Sequence, residues 1–156
     1  MSEEDYYKNL PKKYIAAGAL IFDTQGRVLL VKPVYKDTWE IPGGVVEMEE
    51  SPNAACQREI KEELGLELQI SQLLCVDYVR KRGFKGDTIQ IIFSGGILTE
   101  AQIAGIKLQT EELSEYKFVD LENINLKFTD KLRFRIENSI KASRENKTVY
   151  SENPYY

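Results

Sequence analysis

Histidine is absent from this 156-residue chain, and that absence excludes more chemistry than any other feature of its composition. It removes serine–histidine and cysteine–histidine nucleophile pairs, and every histidine metal site with them. Only two cysteines are present, Cys56 and Cys75, 19 positions apart and without a Cys-x-x-Cys spacing. They are expected to be small buried hydrophobes rather than a disulfide or a metal site. No apolar run reaches the length of a membrane span, and the segment Met1 to Tyr7 is acidic where a secretory signal would be basic and then apolar. The expectation is a cytoplasmic protein with no membrane partner. What remains for chemistry is carboxylates, Lys/Arg, Tyr and bound metal.

At 42% hydrophobic and 29% charged, the chain matches one ordinary globular domain over residues 1–156. Its ends, 1–13 and 143–156, are expected to be loosely ordered. The net charge of −4 is unevenly spread: residues 127–147 hold seven Lys/Arg against three Asp/Glu, which leaves the remainder at −8. An acidic body argues against a nucleic-acid partner, whose phosphates want a basic face. It suits a site that gathers divalent cations.

Tyr14 to Phe22 and Val28 to Val31 are apolar runs of strand length joined by the turn sequence Asp23-Thr-Gln-Gly-Arg27, and they read as a hairpin. Because successive residues are apolar, these strands are expected to be covered on both faces. Pro33 to Trp39 reads as a loop, and Glu40-Ile-Pro-Gly-Gly44 as a turn where the missing side chains let backbone pass close to a ligand. Leu68 to Val79 and Thr88 to Leu98 form a second predicted hairpin around the basic loop 80–87, and Glu115 to Asp120 alternates as a short strand. Leu132, Ile136 and Ile140 at i+4 spacing predict a helix over 128–142, with a charged outer face. The stretch 99–114 carries no clear periodicity. A mixed sheet between helices follows from this order of elements.

The chemistry concentrates between Gly43 and Leu66. Ser51-Pro52 is a helix entrance and Gly65 an exit, so residues 52–64 are expected to be helical. On that helix Glu59, Glu62 and Glu63 fall at i, i+3 and i+4, three carboxylates on one face. Like charges so placed cost an isolated helix a few tenths of a kcal/mol, roughly, and a divalent cation is the simplest offset.

The fixed residues run Gly44, five residues, Glu50, seven residues, Arg58-Glu59-Ile60, one residue, Glu62-Glu63, one residue, Gly65-Leu66. This spacing resembles the Nudix box with no departure at any fixed position; by residue frequencies, a chance match at a given start is on the order of 10⁻⁹. The resemblance implies an α/β/α sandwich of Nudix type with a mixed central sheet. It also implies a pyrophosphohydrolase that cleaves a nucleoside diphosphate linked to another moiety with Mg²⁺ or Mn²⁺. By position, Glu59 and Glu63 are then the leading metal ligands and Glu62 a further ligand or water-positioning base. The Gly43 or Gly44 carbonyl supplies another ligand, and Arg58 and Glu50 hold each other. For the general base the resemblance points to the loop before the late strand, where Glu112 is the first choice, ahead of Glu111 and Glu115.

A nucleobase needs an aromatic or apolar platform, and Tyr35, Trp39, Phe84 and Tyr78 lie in or beside loops that can flank the site. Arg80, Lys81 and Arg82 are offered for a distal phosphate. The lack of any proline between Ala54 and Asn153 tilts the substrate toward a nucleoside triphosphate, cleaved to the monophosphate and pyrophosphate. ADP-ribose or a nucleotide sugar stays open, as does a nucleotide-sensing module that does not cleave. Isomerisation of an isoprenoid diphosphate ranks last, since Cys75 lies mid-strand. A homodimer is left open.

Overall fold

In the computed structural model, which describes residues 1–80, 83–122 and 125–155, β1 (Tyr14–Phe22) sits mid-sheet and everything else is placed relative to it. It turns back into β2 (Val28–Pro33), and the turn is locked by Asp23, whose carboxylate accepts the backbone N–H groups of Gln25 and Arg27, both at 2.9 Å. The short β3 (Gly43–Val45) pairs with the first half of β1, so β1 changes partner along its length from β3 to β2. On its other side β1 runs parallel to β5 (Thr88–Ile97), followed by antiparallel β4 (Leu73–Val79) and parallel β7 (Val149–Glu152). Beyond β2 lies β6 (Leu113–Val119), giving the order β6-β2-β1-β5-β4-β7 in a seven-stranded mixed sheet.

Two helices cover the two faces, which accounts for the unbroken apolar runs of β1 and β2. Ala17, Ala19 and Ile21 point to α2 (Pro52–Leu64), where Ala55, Cys56, Ile60 and Leu64 meet them. Leu20 points the other way, to α4 (Asp130–Arg144), and packs with Leu132, Ile136, Leu30 and Trp39. This is strand alternation with both faces apolar. Both cysteines are free and buried, as expected. Among the described residues no helix is long and apolar enough to cross a membrane.

Several expectations need correction. The lead-in 1–13 contains a helix, α1 (Glu3–Lys8), set by a capping box between Ser2 and Asp5 with acids in its first turn; it buries no residue, so no amphipathic pattern announced it. Gly43 to Val45 is a strand rather than a turn, and β4 begins at Leu73, five residues later than the apolar pattern suggested. The unreadable stretch holds α3 (Glu100–Ala104), capped reciprocally by Thr99 and Gln102. The tail is not frayed: β7 closes the sheet edge beside β4, with Ser151 facing inward and buried.

Candidate active site

Helix α2 is built as its caps dictate. Ser51 Oγ accepts the Ala54 N–H at 3.1 Å, Pro52 needs no donor, and Gly65 takes the left-handed conformation (φ 68°) while its N–H donates to the Lys61 carbonyl. The apolar stripe of Ile60 and Leu64 turns the helix so that Glu63, beside them, is buried at 7% exposure. Glu59 is half-covered at 15% side-chain exposure, and Glu62 stays open at 51%. The three acids predicted to share a face therefore sit at three depths.

Strand β3 lies over this acidic stripe, and its two glycines allow the approach. Alternation aims the position of the missing Gly44 side chain at α2, where a Cβ would stand 2.4 Å from the Glu59 carboxyl group. At Gly43 (φ 152°) a Cβ would meet the Ala17 carbonyl oxygen at 2.3 Å, and its N–H donates to Glu63 Oε2 at 3.1 Å. A side chain at Gly44 would push strand and helix apart, and one at Gly43 would push β3 off β1.

Arg58 ties the assembly together. Its Nε and Nη2 donate to the two oxygens of Glu50 at 2.7 and 3.0 Å, the forked pairing carried over from the resemblance. Nη2 also reaches the Val45 carbonyl at 3.2 Å, and Nη1 lies across Glu59 at 2.8 Å and Glu62 at 3.3 Å. The bond to Arg58 lowers the Glu50 pKa and raises that of Arg58. One cation thus serves four carboxylates, counting Glu47 at 3.9 Å.

The acids inside are not balanced. Burial, together with the charges of Glu59, Glu112 and Glu62, pushes Glu63 up to about 8 despite the Gly43 N–H. Burial also raises Glu59, against the pull of Arg58. Cys56 beneath them is pushed up to about 12 by burial and by the charges of Glu63 and Glu59, which leaves it an inert thiol. Such an excess of hard oxygen ligands fits a divalent cation, and the Gly44 cradle keeps the Glu59 carboxyl group free of steric cover. Among the described residues no three acids converge as a formed ligand set; Arg58 instead occupies Glu59 and Glu62.

A cavity of about 390 Å³ opens where β1 changes partner. Gly43, Gly44, Glu63 and Glu112 line it, so Glu112 is brought to the box although 49 positions separate it from Glu63. Glu111 and Glu115 do not line it, and Glu115 pairs with Lys117 at 3.7 Å. Tyr35 lines the cavity. Trp39 does not: it is 4% exposed in the α4-side core, with Lys117 Nζ 5.3 Å from its ring centre and its backbone N–H on the Lys127 carbonyl, so it is a packing residue rather than a base platform. Phe84 is 96% exposed and, like Arg80 and Tyr78, absent from the cavity wall; Tyr78 donates its hydroxyl to Asp87 instead. Lys81 and Arg82 lie outside the described residues. Tyr14, Gln90 and Arg135 were not among the expected site residues, and the fold delivers them to the cavity from three separate elements. Their only sequence signal, a polar side chain inside an apolar strand or on a helix, is too common to read.

The model of the NUDIX domain matches residues 12–138. The chain is 28% identical to a MutT-like protein of Streptomyces ambofaciens over 117 residues, 74% of this chain and 76% of that one. It is 33% identical to an ADP-ribose pyrophosphatase of Methanocaldococcus jannaschii over 124 residues, 78% of this chain and 68% of that one. The crystal structure of a MutT protein from Methanosarcina mazei superposes with a TM-score of 0.68 at 27% identity, covering 89% of this chain and 99% of that one.

Proposed function

This chain belongs to the Nudix family of hydrolases, and on that premise we propose that it is a divalent-cation-dependent pyrophosphohydrolase of nucleoside diphosphate derivatives, with a nucleoside triphosphate as the leading substrate. The observation that carries the reading is the stacking of buried Glu63 and half-buried Glu59 under the Gly43-Gly44 strand, with Glu112 in the wall of the cavity that Glu63 lines. Glu59, Glu62, Glu63 and a carbonyl of Gly43 or Gly44 would hold Mg²⁺ or Mn²⁺. When bound, such a cation neutralises charge building on the pyrophosphate and makes water more acidic.

The protein's own groups do the rest. Glu112 takes a proton from the attacking water, the water oxygen bonds to phosphorus, and the bridging P–O bond breaks with its electron pair leaving on the departing phosphate. Gly43 N–H fixes the Glu63 carboxylate by its 3.1 Å bond. The Arg58–Glu50 fork keeps α2 in register with β3, because the same guanidinium holds the Val45 carbonyl. Tyr35 and the strand residues give the nucleoside a walled cavity of a volume usual for small-ligand sites.

ADP-ribose is the second reading, favoured by the activity named for the Methanocaldococcus jannaschii relative. Incubation with Mg²⁺ and a panel of nucleoside triphosphates, ADP-ribose and nucleotide sugars, with identification of products, decides between them. The expected result is monophosphate and pyrophosphate from a triphosphate. Tight binding of one nucleotide with turnover of none would replace the hydrolase by a sensor.

A further inference from the structure

On the sheet face opposite α2, one row of residues crosses four strands: Ala16 of β1 stands beside Gln90 of β5, Gln90 beside Asp77 of β4, and Asp77 beside Ser151 of β7. Arg135 of α4 lies over this row and donates from Nε to Asp77 Oδ2 at 2.9 Å. Asp77, wholly buried, also accepts from Ser151 Oγ and Asn153 Nδ2, both at 2.8 Å. The carboxylate is satisfied; the guanidinium is not. Its two terminal amino groups have no partner among the described residues, although the side chain is only 7% exposed. Nor are they sealed off, since no nitrogen of Arg135 is both buried and unpaired. Arg135 lines the cavity that Glu63 and Glu112 line. Gln90 lines it too, and its carboxamide likewise has no partner among the described residues. Ala16, the neighbour of Gln90 on β1, lines the cavity as well, with only a methyl group to fill it.

We propose that Arg135 and Gln90 are specificity-determining residues that read a carbonyl-bearing edge of the nucleobase, so that 6-oxopurine and 4-oxopyrimidine nucleotides are taken in preference to their amino counterparts. The inference rests on the reading of the substrate as a nucleotide whose phosphates lie at the acidic end of the cavity. Asp77 neutralises Arg135, so this end has no net charge with which to draw a second phosphate. What Arg135 offers is a fixed fork of donors without an acceptor. A guanidinium pairs with O6 and N7 of a 6-oxopurine, and with the O4 of a 4-oxopyrimidine by one bond. An amino group in that place would set donor against donor and leave both unpaired and out of water. Gln90, one strand from Asp77 and free to turn its amide, completes the edge.

The test compares guanosine, inosine and uridine triphosphates with adenosine and cytidine triphosphates in Mg²⁺, and binding of the corresponding monophosphates by calorimetry without hydrolysis. The wild type should favour the keto members by about 10-fold or more in KM and in Kd. Arg135→Met alone would strand Asp77, so the pair is replaced together as Asp77→Asn/Arg135→Met, which should erase the preference. Gln90→Leu, which breaks no internal bond, should reduce it by about 3-fold or more. If the double variant melts early, the wild-type panel and Gln90→Leu decide. Equal handling of keto and amino bases by the wild type, or a preference that survives in Gln90→Leu and in a folded double variant, overturns the inference. Keto-selective binding without hydrolysis of any nucleotide upholds it and removes the hydrolase reading; hydrolysis indifferent to the base does the reverse.

Discussion

Both faces of the central sheet bury charge, and they do so in opposite ways. Under α2, the row Glu59, Glu62 and Glu63 has one guanidinium beside it, Arg58, that is already engaged by Glu50, and the charge of Glu112 adds to theirs. Under α4, one carboxylate, Asp77, is met by Arg135, Ser151 and Asn153. Desolvated charge is costly unless it is compensated, so the first arrangement is poised for a cation and the second holds the fold together. The location of surplus charge, rather than the mere presence of buried charge, separates the proposed site of chemistry from the site of assembly.

The largest expected effect comes from removing part of the surplus. Glu63→Gln should lower kcat/KM by roughly 10³-fold or more, because stabilisation of several kcal/mol from the bound cation is lost. It should also abolish the rise in melting temperature that Mg²⁺ gives the wild type. In EDTA the variant should melt no lower than wild type, since the amide still accepts the Gly43 N–H and no longer opposes Glu59. Near-wild-type turnover would remove Glu63 from the ligand set.

On the balanced face the same kind of change should act on stability. Arg135→Met leaves Asp77 buried without its guanidinium and should cost about 3 kcal/mol in urea unfolding, while Asp77→Asn/Arg135→Met should recover most of that. Equal losses in the single and double variants would mean that packing of Arg135, and not charge balance, holds α4 to β4.

Glu112→Gln sharpens the contrast within the acidic group. As the proposed base it should lose about 10²-fold in kcat, yet keep the Mg²⁺-induced thermal shift. Loss of the shift as well would make Glu112 a ligand.

The legibility of the sequence follows the same division. Helix α2 and its acids were readable because caps, stripe and charges lie within one stretch, Ser51 to Gly65, where spacing fixes geometry. The β1–β2 hairpin and α4 were readable from apolar periodicity. Glu112 was reachable only through the resemblance, since no local pattern ties it to a helix 49 positions earlier. The balanced cluster was invisible: Asp77 meets Arg135 and Asn153 at separations of 58 and 76 residues. Trp39 misled for a related reason. An aromatic next to a glycine turn suits either a ligand or a core, and only the position of β6, which brings Lys117 over its ring, decides.

The tail offers the smallest and most discriminating test. Residues after Ser143 carry no apolar periodicity, because only Val149 answers the hydrophobic core, while Ser151 of β7 and Asn153 just beyond it both donate to Asp77. Asn153 also donates to the Lys131 carbonyl at 3.1 Å, so one side chain joins the last strand to both β4 and α4. Asn153→Ala should therefore cost about 1–2 kcal/mol, the penalty for leaving a buried acceptor short of a donor. Ser2→Ala, which removes a cap from a helix that buries nothing, should leave unfolding of the sheet unchanged. If Asn153→Ala is as silent as Ser2→Ala, the tail is held by β7 without Asn153, and Asp77 needs no donor beyond Ser151 and Arg135.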